Sequence, residues 1–237
     1  MVNFKIVHID ETDSTNRWMK ENGEGDMVVV ADFQTAGKGC GQNSWESERG
    51  KNLLFSVLTH PNRISVRSQF IITQMVSVAL CNTLEHYIDL RPEIKWPNDI
   101  YVGDKKICGV LIENRLEGLR IKDCIIGIGL DVNQTEFRSD APNPVSIKLL
   151  TGRDTDRDEL LAQFITELQL AIHNKSIHQE YLNRLYRREG MHPFEANGYR
   201  FMANVVGTTD DGRLMLQDEN GVARLYRFKE VTFIIDN

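Results

Sequence analysis

Glu93-Ile94-Lys95-Trp96-Pro97-Asn98-Asp99-Ile100-Tyr101-Val102-Gly103-Asp104-Lys105-Lys106-Ile107-Cys108-Gly109-Val110-Leu111-Ile112 is the stretch on which the fold turns. Two β-rich runs, residues 93–96 and 107–112, are separated by the turn-forming groups Asn98-Asp99 and Val102-Gly103-Asp104. A third run, residues 124–130, follows Glu117-Gly118. Links this short suit antiparallel hairpins, because a parallel crossover needs about a dozen residues or more. The middle of the chain therefore reads as largely antiparallel sheet.

Upstream, residues 4–9 alternate as a strand does, and Asp13-Ser14-Thr15-Asn16 offers caps for a short helix. Residues 27–31 and 53–58 read as buried strands flanking a glycine-rich loop. Across residues 67–90, Phe70, Ile71, Met75, Val78, Leu80, Cys81 and Leu84 recur at helical spacing, predicting the longest helix. Downstream, Thr155-Asp156-Arg157-Asp158 looks like a capping box with Asp in place of Glu. It opens a helix through Leu160, Leu161, Phe164, Ile165 and Leu168. A second helical segment covers residues 179–188 and ends at Gly190. His192-Pro193 marks a change of style. From Gly198, short alternating strands are divided by Asp210-Asp211-Gly212 and Asn220-Gly221, both hairpin signals. The expectation is an α+β body over residues 1–190, a mixed, largely antiparallel sheet flanked by helices, with a small β-barrel over residues 191–237.

Composition narrows the function classes. The chain has 237 residues, of which 41% are hydrophobic and 26% charged, the balance of an ordinary globular protein. A net charge of −6 argues against a broad electrostatic grip on nucleic acid. The start, Met-Val-Asn-Phe-Lys-Ile-Val-His-Ile, lacks a basic segment followed by an apolar run, and no stretch approaches the length of a membrane span. Cys40, Cys81, Cys108 and Cys124 are far apart and read as reduced thiols of a cytoplasmic protein. The six histidines are dispersed, which disfavours a zinc site.

Three segments carry chemistry. In Gln34-Thr35-Ala36-Gly37-Lys38-Gly39-Cys40-Gly41-Gln42-Asn43-Ser44-Trp45, glycines leave backbone N–H groups free to approach an anion and Lys38 adds charge. The spacing is not that of a P-loop, and alone it also reads as a flexible turn. In Lys95-Trp96-Pro97-Asn98-Asp99, Pro97 and the turn pair aim Asn98 and Asp99 off the strand end; alone, this is a tight turn over a core Trp96. In Gly127-Ile128-Gly129-Leu130-Asp131-Val132-Asn133, the glycines of a buried strand admit a ligand or a neighbouring backbone. The third glycine and following helix of a dinucleotide fold are missing.

Taken together and in order, these segments resemble the biotin protein ligase family over nearly the whole chain. The shared features are Asp13-Ser14-Thr15-Asn16, Gln34-Thr35 with the glycine loop, Trp45, Lys95 to Asp99, Lys106 with Gly109, Gly127-x-Gly129 and the terminal β-strands. The resemblance implies a class II synthetase-like catalytic body with an SH3-like terminal barrel. It implies a ligase that forms biotinyl-AMP and pyrophosphate from biotin and ATP, then transfers biotin to a lysine of a biotin carboxyl carrier protein. By the same resemblance Ser14, Thr15, Asn16 and Gln34 hydrogen-bond the biotin ring system and its surroundings. Gly37, Lys38, Gly39 and Cys40 wrap the carboxylate and phosphate, and Trp45 covers the ligand. Lys106, beside Gly109, holds carboxylate or phosphate oxygens. Asn98 sits by the phosphates, with Mg²⁺ carried by ATP and no protein-built metal site. Asp99 orients or deprotonates the incoming lysine, and Gly127, Gly129 and Asp131 lie by the nucleotide. A homodimer is compatible with it. Neither nucleic acid nor membrane is implied, since the first catalytic strand begins by Phe4 and leaves no room for an N-terminal DNA-binding domain.

Two departures from that pattern stand out. The family loop commonly reads Gly-Arg-Gly-Arg-x-Gly. Here Lys38 keeps the first charge without the bidentate fork, Cys40 loses the second, and Gln42 replaces a glycine. The expectation is a loop that holds biotinyl-AMP less tightly. Asp131 stands where asparagine is usual; an ionised aspartate can only accept, and Asn133 is the candidate replacement donor. The rivals are a lipoate or octanoate ligase or transferase of the same fold, a biotin-sensing repressor, and a binding module that has lost catalysis.

Overall fold

A computed structural model of the chain describes residues 3–41, 43–138 and 143–235, so Gln42 and the first two residues, Met1-Val2, lie outside it. The larger sheet comprises β1 (Lys5–Thr12), β2 (Met27–Gln34), β3 (Leu53–Thr59), β4 (Pro92–Lys95), β5 (Asp99–Val102), β6 (Lys105–Glu117) and β7 (Arg120–Leu130). The order across it is β1-β2-β3-β7-β6-β5-β4. Among the described strands of this sheet only β1 and β2 pair in parallel, and α1 (Thr15–Asn22) supplies the crossover such a pair requires. Asp99, expected within a turn, instead opens β5 opposite Lys95. The buried run Ile100-Tyr101-Val102 is a strand of its own rather than a link.

Period-two alternation sorts the sheet into two faces. Phe55, Val57, Ile126 and Ile128 enter a core shared with α2 (Phe70–Glu85) and α4 (Arg157–His173). Phe55 and Phe164 meet edge-on there with ring centroids 5.2 Å apart. Each such buried ring contributes about 2–3 kcal/mol. The alternate residues Val29, Leu58 and Ile125 turn the other way and pack under Met19 of α1. That second face is covered by α1 at one end and, at the other, by Tyr186 packed on Tyr101, with the Trp45 indole between them.

Local chemistry sets the helix ends. The predicted 67–90 helix is shorter at both ends. Val66–Ser68 form a 3₁₀ turn whose cap, Ser65, accepts from the Ser68 N–H, and α2 stops at Glu85. The cap of α4 is Asp156 and not Thr155. Its carboxylate accepts from the N–H groups of Asp158 at 2.8 Å and Glu159 at 3.0 Å, a stronger partner for a helix N-terminus than a hydroxyl. Thr155 is tied by its backbone to the Asn133 side chain. Ile147–Thr151 form a one-turn helix, α3. The segment expected over 179–188 is helical only as α5 (Ile177–Asn183), because the chain then leaves to bridge Leu185 to Ile94.

The terminal sheet is antiparallel: β8 (His192–Ala196), β9 (Tyr199–Thr208), β10 (Leu214–Asp218), β11 (Ala223–Tyr226) and β12 (Thr232–Phe233), ordered β11-β10-β9-β8-β12. It starts at His192, before the Gly198 expected from the sequence, and no pairing joins its two edge strands among the described residues. Phe194, Val205 and Leu216 belong to the same hydrophobic cluster as the helix layer. Among the described residues no helix is long and apolar enough to cross a membrane.

Candidate active site

The second face carries a pocket whose floor is bare backbone. Gly127 and Gly129 share the parity of Ile125 on β7, and Gly109 on β6 is the direct partner of Gly129. Removing three side chains from one face leaves a strip onto which a flat group can be laid. In the present conformation that group is the Trp45 indole. A Cβ added at Gly109 would meet Trp45 Cζ3 at 2.8 Å, and one at Gly129 would meet Trp45 Nε1 at 2.6 Å. The indole N–H is buried without a hydrogen-bond partner.

One wall is the start of α1. Ser14 caps the helix by position, yet its hydroxyl makes no capping bond. The Thr15 N–H and hydroxyl both donate to Gln34 Oε1, at 2.7 and 3.1 Å. The Ser56 hydroxyl, rising from β3, bonds Thr15 Oγ1 at 2.8 Å and Asn16 Oδ1 at 2.7 Å. Asn16 Nδ2 donates to Glu113 at 2.9 Å. Burial raises the Glu113 pKa, but the hydrogen bonds from Lys20 and Asn16 outweigh it, and the carboxyl rests below its ordinary value. Ser56 escaped the sequence reading; its signal is a lone hydroxyl inside the apolar run Leu53-Leu54-Phe55-Ser56-Val57-Leu58.

The glycine loop forms the second wall as a miniature hairpin. Trp45 N–H donates to the Gly37 carbonyl at 3.0 Å, Gly39 N–H to the Asn43 carbonyl at 2.8 Å, and Lys38 bridges Ser44. The third wall is the β4–β5 turn. Asn98 Nδ2 is tied to the Val110 carbonyl at 2.8 Å, while Asp99 pairs with Lys106 Nζ at 2.8 Å. Lys106 Nζ also lies 5.6 Å from the Trp45 ring centroid. Strict alternation would send Lys106 into the helix layer, opposite Gly109. A bulge prevents this: Ile100 pairs with Cys108 but Tyr101 with Lys106, leaving Ile107 as the extra residue. Ile107 and Cys108 are consecutive and both buried in the core, and Lys106 is returned to the pocket face.

All the site residues expected from the sequence line this pocket except Gly37 and Asp131. Gly37 serves the hairpin, its backbone packed on the Trp45 carbonyl. Asp131 lies just past the end of β7 and is 3% exposed, accepting from Asn52 Nδ2 at 2.9 Å. Asn133 does not replace it, since both ends of its amide are bonded to Thr155. Lys95 and Phe228 also line the pocket, and Phe228 arrives from the terminal sheet. Burial holds the Lys95 ammonium below its usual pKa, opposed only in part by Asp99.

Burial pushes the Asp131 carboxyl well above the ordinary carboxylate range, with Lys106 offsetting only part of it. The folded protein thus keeps a proton that the unfolded chain has lost above about pH 4. Stability contributed at this site falls as pH rises from there through the folded-state pKa. Asp131→Asn keeps the acceptor for Asn52 and removes the titration. Its expected stabilisation is about 1–3 kcal/mol at pH 8 and less at pH 5. Thermal melts at the two pH values check this; equal differences at both would contradict it.

Comparison with known proteins places the chain among relatives of one family. Residues 8–131 match the biotin/lipoate A/B protein ligase family. The bifunctional ligase/repressor BirA of Bacillus subtilis (strain 168) is 27% identical over 237 residues, covering 93% of this chain and 72% of its own. The biotin–protein ligase of Homo sapiens is 28% identical over 218 residues, covering 82% of this chain and 29% of its own. The solved structure of the Aquifex aeolicus biotin protein ligase in complex with biotin and ATP superposes with a TM-score of 0.81 at 25% identity. That likeness covers 98% of this chain and 99% of the other.

Proposed function

The chain belongs to the biotin/lipoate A/B protein ligase family, whose match spans more than half of it, and from that premise we propose an ATP-dependent biotin protein ligase. The observation that carries the reading is the convergence of Lys106, Asp99 and Asn98 on the bare Gly109–Gly129 floor, facing Ser14 and Gln34. The human relative is a biotin–protein ligase, and the Aquifex aeolicus biotin protein ligase of like fold was solved with biotin and ATP.

Biotin's carboxylate attacks the α-phosphate of Mg·ATP, giving biotinyl-5'-AMP and pyrophosphate. A lysine ε-amine of a biotin carboxyl carrier protein then attacks the acyl carbon, and AMP leaves. Both steps gather negative charge on oxygen, so fixed cations and backbone donors do most of the work. Lys106 is the cation at the carboxylate–phosphate junction, and Asp99 fixes it. In the second step Asp99, a carboxylate lining the pocket, receives a proton from the incoming lysine, which is mostly protonated near neutral pH because its pKa is about 10.4. Gln34, its Oε1 engaged by Thr15, keeps its amide N–H₂ for an acceptor of the ligand. The Trp45 indole exchanges the glycine strip for a place over the bound ligand. Mg²⁺ enters with ATP as part of the substrate.

Pyrophosphate release separates this reading from its rival. Biotin with ATP is expected to release pyrophosphate, and a carrier domain to make the release continuous. Lipoate and octanoate are expected to give none. Release driven by either of those acids in preference to biotin would transfer the chain to the lipoate side of its family.

A further inference from the structure

The glycine loop, residues 34–45, carries one cation of its own, Lys38. A second reaches it from the far end of the chain. The Lys229 ammonium lies 2.7 Å from where a Cβ on Gly41 would stand, so it rests against the tip of the loop. Lys229 belongs to the turn between β11 and β12. There the Arg227 N–H donates to the Glu230 carboxylate at 2.7 Å, and the Glu230 N–H to the Arg227 carbonyl at 3.0 Å.

Two features fix that turn against the pocket. Phe228 lines the pocket itself and packs edge-on against Trp96 with centroids 6.0 Å apart. Trp96 Nε1 in turn donates to the Gly212 carbonyl of the terminal sheet at 2.9 Å. The Lys229 backbone is left-handed, with φ 70°, a conformation that favours glycine. A lysine kept where glycine would sit more easily points to a use for its side chain. Its ammonium lies 5.9 Å from the Phe228 ring and, among the described residues, makes no ion pair. An unpaired, solvated cation at the tip of an anion-binding loop is placed to meet the phosphates of a nucleotide laid in that loop.

We propose that Lys229 is a nucleotide-positioning residue, neutralising the ATP phosphates across the loop tip and so making the terminal sheet part of the nucleotide site. The proposal rests on the adenylate-forming reading above. Biotin alone carries no phosphate and should not sense this residue.

The test uses Lys229→Gly, Lys229→Met and Lys229→Arg in the full chain. Losing one charge-assisted phosphate contact is expected to raise the KM for ATP about tenfold in the Gly and Met variants. The Arg variant should stay near wild type, and the biotin Kd measured without nucleotide should not change in any of them. Lys229→Gly should melt no lower than wild type, because glycine accepts the left-handed backbone; a merely structural lysine would not give this split. An unchanged ATP KM in both charge-removing variants overturns the proposal, as does an equal loss of biotin affinity. Calorimetric titration with ATP runs beside the kinetics. If wild type released no pyrophosphate with biotin, the ligase reading would fail. The ATP titrations would still decide whether Lys229 holds a nucleotide.

Discussion

Replacing Lys106 with methionine is expected to lower the rate of biotin-dependent pyrophosphate release by about 10²–10³-fold, the usual cost of removing one positioned donor from developing oxyanion charge. The size follows from how the side chain is held. Asp99 pairs with its ammonium at 2.8 Å, the Ile107 bulge turns it onto the pocket face, and Trp45 lies alongside. The side chain's own partners, Asp99 and Trp45, lie outside the hydrophobic core, so the variant should fold, with a melting temperature close to wild type. The neighbouring Lys95 cannot stand in. Its ammonium sits 5.2 Å from the rings of Tyr101 and Phe233, and burial already disfavours its charged form.

Arginine at 106 is also expected to fall well short, because a planar fork does not reproduce a point charge aimed at one oxygen. Supplying preformed biotinyl-AMP bypasses the first step and should restore much of the transfer to a carrier lysine. Near-normal pyrophosphate release by Lys106→Met would remove Lys106 from the centre of the mechanism. A deficit not relieved by preformed adenylate would instead assign it to the second step.

The bulge also marks where sequence reading stops. Lys106 was legible as a site residue only through resemblance. Counting by twos from Gly109 gives the wrong face, since an inserted residue such as Ile107 leaves no mark in composition. The antiparallel centre was legible because its turns are short and rich in glycine, asparagine and aspartate. The strand over Asp99–Val102 was not, because its two ends belong to the turn signals and the two residues left between them look like a link. The parallel pairing of β1 with β2 depends on where α1 places the chain, which no local pattern records. Phe228 was out of reach for a similar reason. It enters the pocket from the last strand connection, far from every motif. Asp131 shows the limit of strand parity. It keeps the parity of Gly127 and Gly129, but β7 ends at Leu130 and the side chain is buried against Asn52 instead. Parity predicts a face only while the strand lasts.

Gly129→Ala is expected to weaken biotin binding by about ten- to hundredfold, the equivalent of the 1–3 kcal/mol that overpacking costs. The glycine strip works by what it lacks. Two strands contribute to it through the directly opposed Gly109 and Gly129, so a single methyl breaks a continuous flat surface. The added Cβ would stand 2.6 Å from Trp45 Nε1, with carbon atoms of the ring nearer or little farther. An indole is rigid, and it must lift as a unit; a bound ligand in its place would have to do the same. Gly127→Ala should act on the other wall. There the new Cβ falls 2.8 Å from Asn16 Cγ, and Asn16 is already committed to Ser56 and Glu113. The fold should survive both changes, since the strip faces the pocket and neither backbone is left-handed. Gly207→Ala on β9 serves as control: its Cβ would meet nothing closer than 3.7 Å. Titration with biotin, followed through tryptophan fluorescence, measures all three. Wild-type affinity in Gly129→Ala would mean that the ligand does not lie on the strip, and the floor of the site would have to be sought elsewhere in the pocket.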